Sequence, residues 1–398
     1  MHEPKPKQSN CTYCGDAAIS HRLTFTEACI GSIIEPFMLP LAKLAPAPLE
    51  RFVDWIPGAI FSSFSLLGLA RFSDDPEKTL THRSRVIWEE ALRRGIPMQQ
   101  GILLGKPFEF YRAKIQGKWH YFQSLPIPPK RSDDSEKWDD KILMKRVLHA
   151  AHIPVPRFKE ISLFSKIDAV SIFNELGNTL IVKPRAGSRG RHTTTHITTP
   201  EMLHAAIKVG HIIAPRLAIE EHLLGDVCRA TVIDGKLAGF YRASTPFITG
   251  DGVQPIAVLI DEKNKNRSER IEAIVVTDEM KEYITRFGYS LESILPKDKV
   301  LPLTHRTGRF YGGTTKEMLD ELHPSFIPII EQAARTLNII VVGFDCIVPD
   351  PTKEESTQRW GIIESNTLPF IDLHYFALEG KPKNIAGMIW DLWDKKIN

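Results

Sequence analysis

The sequence is poor in cysteine and has almost no excess of charge of either sign. Only five of its 398 residues are cysteines, an odd number too small for a disulfide scaffold, so we expect a reducing, cytoplasmic setting. Lys and Arg number 51 against 48 Asp and Glu, which gives a formal net charge of +3. A balance this close does not indicate a protein built to bind nucleic acid.

Long apolar runs are also missing. The longest stretch without a formal charge, residues 55–70, has 16 residues, fewer than the roughly 20 that span a bilayer. The polar start of the chain does not have the pattern of a secretory signal peptide. A buried helical hairpin is the simpler interpretation of this region. The alternative is an interfacial membrane anchor formed by residues 30–72, which would give peripheral membrane contact.

The composition, 42% hydrophobic and 25% charged, is that of an ordinary folded protein. The length predicts two to three domains. We expect an N-terminal extension at residues 1–75, Pro-rich and apolar in its second half, and a small α/β domain at residues 76–138. The latter contains a predicted helix at Ser84–Arg94 and a predicted hairpin over Phe108–Phe122.

From residue 139 the sequence predicts a helix at Lys141–Ala151 capped by Asp139 or Asp140, a helix capped at Thr199, a hairpin at Asp234-Gly235 and a last helix at residues 384–395. Strands, hairpins and helices mix here without strict alternation, which predicts an α+β fold.

The extension carries half of a zinc-binding pattern. Cys11 and Cys14 are separated by two residues, and His21 and Cys29 would complete four ligands for Zn²⁺. Two ordinary reduced cysteines are the simpler interpretation, because the second pair of ligands is irregularly spaced.

A basic, glycine-containing loop follows a predicted buried strand. The strand, Thr179–Lys183, delivers Lys183 to its end, and Gly187, Ser188 and Gly190 follow it. Small residues expose backbone N–H groups, and neighbouring basic side chains add positive charge, so the loop is suited to phosphate oxygens. A basic surface turn is the alternative.

Two predicted strands carry oxygen ligands suited to Mg²⁺. Asp345 lies in an apolar strand, and Glu364 and Asn366 lie two residues apart on a later one, so these two share a face. If the strands are neighbours, the three side chains form a magnesium site. Capping of strand ends or pairing with lysines is the alternative, but a carboxylate among apolar residues is costly without a partner.

Over about residues 139–398 the sequence resembles the ATP-grasp ligases. The likeness is greatest to the ATP-grasp domains of cyanophycin synthetases and bifunctional glutathione synthetases, and D-alanine–D-alanine ligases are more distant. The pieces that carry it follow the family's order: Asp140-Lys141 through Lys145, Ile153–Pro156, Val182-Lys183-Pro184, Ile219-Glu220-Glu221 through Gly225, Gly250-Asp251-Gly252, Gly312-Gly313-Thr314-Thr315, Asp345, Glu364-Ser365-Asn366, and His374 through Gly380.

The resemblance implies two lobes, about 139–218 and 219–398, that grip ATP together with one or two Mg²⁺ ions. It implies that Lys145 and Lys183 neutralise the phosphates and that Glu220 lies at the hinge that holds adenine. The complete ATP-binding set is Lys145, Lys183, Gly187, Ser188, Gly190, Glu220, Glu221 and Asp226, and the metal ligands are Asp345, Glu364 and Asn366.

Two departures from the family pattern stand out. Relatives usually have a second glycine near the position of His192. The acid expected to contact ribose falls near Val227, so Asp226 would have to replace it. On the substrate side, Arg229, Arg242 and Arg306 are the candidate catalytic residues, because guanidinium groups bind acyl-phosphate and carboxylate oxygens.

The leading hypothesis is an ATP-dependent carboxylate–amine ligase that forms an amide through an acyl phosphate, on an amino acid or peptide. The partners would then be a small carboxylate and a small amine, with no nucleic acid. Two alternatives remain: an ATP-binding regulator or scaffold without ligase activity, and a phosphotransferase on the same fold. The sequence does not determine the oligomeric state.

Overall fold

The structure, a computed structural model, describes residues 11–14, 19–31, 61, 64–128, 135–187 and 190–394. Most of residues 30–72, where we expect a buried hairpin or, alternatively, an interfacial anchor, lie outside these residues. So does Ser188 of the glycine-containing loop after Lys183, called the phosphate loop below. Among the described helices, none is both long enough and apolar enough to cross a membrane.

The small N-terminal unit is a four-stranded antiparallel sheet with one helix. Its strands β1 (Ala70–Ser73), β2 (Met98–Leu103), β3 (Lys106–Ile115) and β4 (Lys118–Phe122) lie in chain order, and α1 (His82–Arg93) packs near them. Two left-handed residues at 116 and 117 close the β3–β4 hairpin, as a two-residue turn requires. Strand β1 shows that this sheet begins before the predicted boundary at residue 76.

The second sheet has the order β5-β8-β6-β7. Its strands are β5 (Phe158–Ser162), β6 (Leu180–Pro184), β7 (Thr194–Ile197) and β8 (Arg216–Glu221). Helices α3 (Ala169–Leu176) and α4 (Pro200–His211) bury their apolar faces against it. Thr199 caps α4 at the predicted position, and its side chain accepts from the Met202 N–H.

The central sheet is antiparallel and has the order β13-β10-β9-β14-β15. The predicted hairpin at Asp234-Gly235 joins two of its strands. Helices α2 (Lys141–Ala150) and α7 (Phe326–Leu337) pack on one face over the largest apolar core. The bounds of the strands are β9 (Asp226–Ile233), β10 (Lys236–Ala243), β13 (Thr315–Glu317), β14 (Val341–Val348) and β15 (Gly361–Asn366).

A smaller unit lies between β10 and β13 in the chain. It consists of β11 (Phe247–Thr249), α5 (Ile256–Lys265), α6 (Asp278–Thr285) and β12 (Val300–Pro302), around a core of its own. These elements were not predicted from the sequence, because the strands are only three residues long and the segment is rich in loop-forming residues.

The last helix is shorter than predicted. The expected helix at residues 384–395 ends at Trp390 in α8 (Ile385–Trp390), and a 3-10 turn at Asp391–Trp393 follows. Trp390 is buried against α1, and its indole N–H donates to the Ile87 carbonyl at 3.1 Å. The end of the chain therefore packs on the small N-terminal unit.

Candidate functional site

A cavity of about 960 Å³ opens between the second sheet and the central sheet. Its volume lies in the range of small-molecule and cofactor sites. Several of the predicted ATP-binding residues line it, together with one predicted metal ligand: Lys183, Gly187, Gly190, Glu220, Glu221 and Glu364.

Two lysines from different elements meet one carboxylate beside this cavity. Lys145 on α2 and Lys183 at the end of β6 lie 2.9 and 3.0 Å from the two carboxylate oxygens of Glu220 on β8. Lys145 Nζ also donates to the Ile363 carbonyl at 2.8 Å. Lys145 and Glu220 are almost completely buried. The structure therefore brings together the two lysines predicted to meet the same phosphates.

The charges of this group depend on each other. Burial lowers the pKa of Lys145 to about 7, against the raising effect of Glu220. Burial by itself raises the pKa of Glu220, but the two lysines outweigh it and hold that pKa below the usual range. Both lysines share one carboxylate, so the cluster carries excess positive charge beside the cavity once Lys145 is protonated, below about pH 7, as anionic phosphates require.

The three predicted metal ligands lie on neighbouring strands. Asp345 on β14 pairs directly with Glu364 on β15, and Asn366 donates from Nδ2 to Asp345 at 3.3 Å. On the other side, Arg229 of β9 holds both carboxylate oxygens of Asp345, at 2.5 and 2.9 Å. Arg229, Asp345 and Glu364 thus form a row across three strands.

Asp345, Glu364 and Asn366 fit a bound Mg²⁺ ion. All three predicted ligands offer hard oxygen atoms. Burial, together with the charge of Glu364, raises the pKa of Asp345 although Arg229 opposes this, and a cation would relieve the repulsion between the two acids. Glu364 is also the member of the group that lines the cavity.

Lys141 is a site residue that the sequence analysis did not select. Its Nζ donates to the Gly187 carbonyl at 2.6 Å and lies 3.4 Å from a carboxylate oxygen of Glu364. It therefore joins the phosphate loop to the predicted metal ligands. The sequence signal that could have identified Lys141 is its position at the start of the Asp140-to-Lys145 motif.

The candidate arginines lie in three different places. Arg229 is next to the metal ligands, and its Nη1 atom is buried without a hydrogen-bond partner among the described residues. Arg242 opposes Cys228 across the β9–β10 pair, so it lies on the opposite face of the sheet, 3.6 Å from Asp226. Arg306 lies 3.2 Å from Glu279 on α6. The structure does not bring Arg242 to the carboxylate row.

Two of the predicted ATP-binding acids lie close to arginine side chains. Asp226 shares the sheet face of Arg242, and burial raises the pKa of its carboxyl group. Glu221 accepts hydrogen bonds from Arg157 and Arg359, each at 2.9 Å. Glu221 therefore joins β8 to the chain on either side of the hinge, and its ATP contact stays a prediction.

Three histidines that the sequence analysis did not select line the same cavity. They are His196, whose ring stacks on Phe287 at 4.2 Å between centroids, His222, which follows the hinge acids directly, and His305. Burial lowers the pKa of His222 to about 4 and that of His305 to about 3. Only His222 had a sequence signal, its position beside Glu221, because the others reach the cavity through tertiary packing.

The buried histidines predict a pH dependence of stability. Unfolded histidine has a pKa near 6.5, so below that pH the unfolded chain binds protons that folded His222 and His305 do not bind. The free energy of unfolding should fall as the pH drops from about 6.5 towards 4, with each histidine contributing about one proton to the slope. Denaturant titrations at several pH values measure this slope.

The double variant His222→Gln/His305→Gln should lose about two protons of that slope. His204→Gln, an exposed position on α4, is the matched control and should keep the slope unchanged. A double variant with the slope of the unsubstituted chain would contradict the burial of these two imidazoles as neutral groups.

No protein-family model matches the chain. It is 29% identical over 262 residues to cyanophycin synthetase of Synechocystis sp., which covers 64% of this chain and 30% of that protein. It is 23% identical over 318 residues to the glutathione biosynthesis bifunctional protein of Mannheimia succiniciproducens, which covers 76% of this chain and 41% of that protein. The chain therefore spans less than half the length of these relatives.

Among solved structures, a bifunctional glutathione synthetase from Pasteurella multocida matches with a TM-score of 0.52. The match covers 80% of this chain and 45% of that one, at 19% sequence identity. The chain has the ATP-grasp fold. The expected α+β class is confirmed, and the cavity lies between two sheets of this fold.

Proposed function

We propose that the chain is an ATP- and Mg²⁺-dependent carboxylate–amine ligase acting on an amino acid or a peptide. The observation that carries the proposal is the convergence of Lys145 and Lys183 on Glu220, beside a cavity whose other wall holds Glu364. Groups that neutralise phosphates and groups that hold a metal then border one nucleotide-sized space. The names of the relatives support the substrate class.

The residues on the nucleotide side would bind and orient ATP. Lys145 and Lys183 supply compact cations to the phosphates. Gly187 has a φ of +124°, and no atom of the described residues lies within 4 Å of the place where a Cβ would lie, so its backbone is open to a ligand. Asp345, Glu364 and Asn366 would hold Mg²⁺, which supplies neutralising charge to the phosphate oxygens during transfer.

The reaction would pass through two displacements. A carboxylate oxygen of one substrate attacks the γ-phosphorus, ADP leaves, and an acyl phosphate forms. The amine then attacks the acyl carbon, loses a proton and displaces phosphate. Catalysis on this fold would come from positioning and from charge stabilisation.

Arg229 is the arginine best placed for this role. Asp345 fixes its guanidinium group in the carboxylate row, while its Nη1 atom keeps an unused donor. A Cβ atom at Gly343 would come within 3.1 Å of Nη1 and 2.9 Å of Cδ, so glycine at that position makes room for the arginine. Such a donor suits an oxygen of the acyl phosphate or of the substrate carboxylate.

The proposal keeps the reducing, cytoplasmic setting expected from the cysteine content. All five cysteines lie among the described residues, and none of them forms a disulfide.

The test is a product assay on the full chain with ATP, Mg²⁺ and a screen of amino acids and short peptides. We expect ADP and phosphate only when a carboxylate and an amine are both present. Carboxylate labelled with ¹⁸O should transfer one labelled oxygen to the phosphate, because the acyl phosphate is cleaved at the acyl carbon.

Other outcomes separate the alternatives. ADP formed with a phosphorylated acceptor and no amide would identify a phosphotransferase. ATP binding without turnover over the whole screen would favour a regulatory or scaffold protein. Lys183→Ala is the control that ties any ADP release to this cavity, because the same preparation should lose that release.

A further inference from the structure

Four metal-binding side chains meet where the N-terminal segment contacts the phosphate loop. They are Cys11, Cys14, His21 and His192, and their ligand atoms all lie within 4.8 Å of one another. Cys14 Sγ lies 3.0 Å from His21 Nε2 and 3.6 Å from His192 Nε2. Cys11 Sγ lies 3.8 Å from His192 Nε2. The predicted fourth ligand, Cys29, does not belong to this group, and His192 stands in its place.

These separations match the edges of a tetrahedral zinc site. Bonds of about 2.0–2.3 Å to nitrogen and sulfur place neighbouring ligand atoms about 3.3–3.8 Å apart. Two of the three separations lie in that range, and the third is shorter by about 0.3 Å, a small adjustment for two side chains on a short segment.

The ring of His192 is already oriented as a metal ligand. Its Nδ1 atom lies 2.9 Å from the Val209 carbonyl, and since a carbonyl only accepts, Nδ1 carries the proton. Nε2 then keeps its lone pair and points to the two cysteines. A backbone carbonyl behind the ligating imidazole is the usual outer partner in zinc sites.

The backbone at His192 is also unusual. Its φ is +49°, in the left-handed region that favours glycine, and the side chain is completely buried. A left-handed backbone is costly for histidine, so this residue needs a stabilising contact, which a metal bond would supply.

We propose that Cys11, Cys14, His21 and His192 bind one Zn²⁺ ion. Each thiol loses its proton on binding, so two thiolates and two neutral imidazoles leave the site uncharged. A set of two sulfur and two nitrogen ligands selects zinc over Mg²⁺, which requires oxygen.

The ion would hold the N-terminal segment, residues 11–14 and 19–31, against the cavity. His192 N–H donates to the Tyr13 carbonyl at 2.9 Å, and the Tyr13 hydroxyl donates to Glu282 on α6 at 3.0 Å. The helical residues 21–31 continue from this anchor, and Thr24, Glu27 and Gly31 line the cavity. Zinc would thereby order the C-terminal end of the phosphate loop, next to His192. This consequence rests on the proposed nucleotide site.

Metal analysis of the full chain purified with zinc in the medium tests the site. We expect one zinc per chain, and less than a tenth of that in Cys14→Ser and in His192→Gln. Cys29→Ser is the matched control, because Cys29 lies on the helical segment that begins at His21 but is not one of the four ligands, and it should keep one zinc. Absence of zinc from the unsubstituted chain, or equal zinc in Cys14→Ser and Cys29→Ser, would overturn the proposal.

A second measurement avoids dependence on the folding of the variants. Unsubstituted chain, stripped with a chelator and titrated with Co²⁺, should develop a thiolate charge-transfer band and tetrahedral visible bands that saturate at one equivalent. No such bands, or the spectrum of octahedral cobalt, would overturn the proposal.

ADP titrations then test whether the zinc-bound N-terminal segment strengthens nucleotide binding. Zinc removal should weaken ADP binding at least fivefold, a typical lower size for coupling between two sites. Lys183→Ala should hold a full zinc while binding ADP weakly, which separates failure of the nucleotide site from failure of the metal site. Unchanged ADP affinity after zinc removal would show that the ion does not order the phosphate loop.

Discussion

Glu364→Gln is expected to reduce ATP turnover by about 10²–10³-fold, the usual effect of removing one group that stabilises transition-state charge. The substitution removes one anionic ligand for Mg²⁺ and keeps the shape of the side chain. Glu364 lines the cavity, and among the described residues its ion-pair partner is Lys141 alone, at 3.4 Å, so we expect little change in the fold. Steady-state ADP release as a function of Mg²⁺ concentration should show a raised requirement for the ion.

Asp345→Asn is a less specific test of the same site, because it should also destabilise the fold. Asp345 holds the buried Arg229 through both carboxylate oxygens, and removing one partner of a buried ion pair costs about 3–5 kcal/mol. Glu321→Gln, a surface position paired with Lys316, is the control and should keep full turnover. Near-normal turnover of Glu364→Gln at low Mg²⁺ would remove this residue from the metal site.

Lys183→Ala is expected to weaken ATP binding by about 10–100-fold, as expected for loss of a hydrogen bond to a charged group. Lys145→Ala should weaken it as well and should also destabilise the fold by about 3–5 kcal/mol, because a buried ion pair with Glu220 is broken. If both lysines contact one phosphate group, the loss of ATP-binding free energy in the double variant should be smaller than the sum of the losses in the two single variants. ATP titrations and denaturant unfolding of the three variants give these values.

Lys159→Ala is the matched control for both lysines. Lys159 lies on β5 in the same sheet, at the surface and paired with Glu175, so neither affinity nor stability should change appreciably. The view that Lys145 is an ordinary surface lysine conflicts with its complete burial. Unchanged ATP affinity in a folded Lys145→Ala protein would exclude this residue from the nucleotide site.

Local physical rules account for most of what was predictable about the fold. Asp140 caps α2 because its carboxylate accepts from the Ile142 and Leu143 N–H groups, a role visible in the sequence. The Asp234-Gly235 turn needs two left-handed residues and therefore appeared as a hairpin. The three-residue strands β11 and β12 were not predictable, because segments this short carry no periodicity to detect.

The candidate site, like the fold, was predictable from the sequence only in part. The shared face of Glu364 and Asn366 followed from the two-residue period of a strand. The sequence did not establish that their strand lies next to the strand that carries Asp345. The structure shows this pairing in the register of β14 and β15. Arg242 shows the opposite case, because strand register placed it on the face away from the carboxylates.

The sequence alone determined the local elements and the chemistry of the individual groups: which lysines, acids and glycines suit phosphate and Mg²⁺. Tertiary structure decided which of these groups meet. Lys145 and Lys183 share Glu220, and His192 joins Cys11, Cys14 and His21, across separations of up to 181 residues. Contacts at such range depend on how sheets and helices pack. Neighbouring residues restrict the backbone over a few positions, and they contain no information about which distant side chain completes a site.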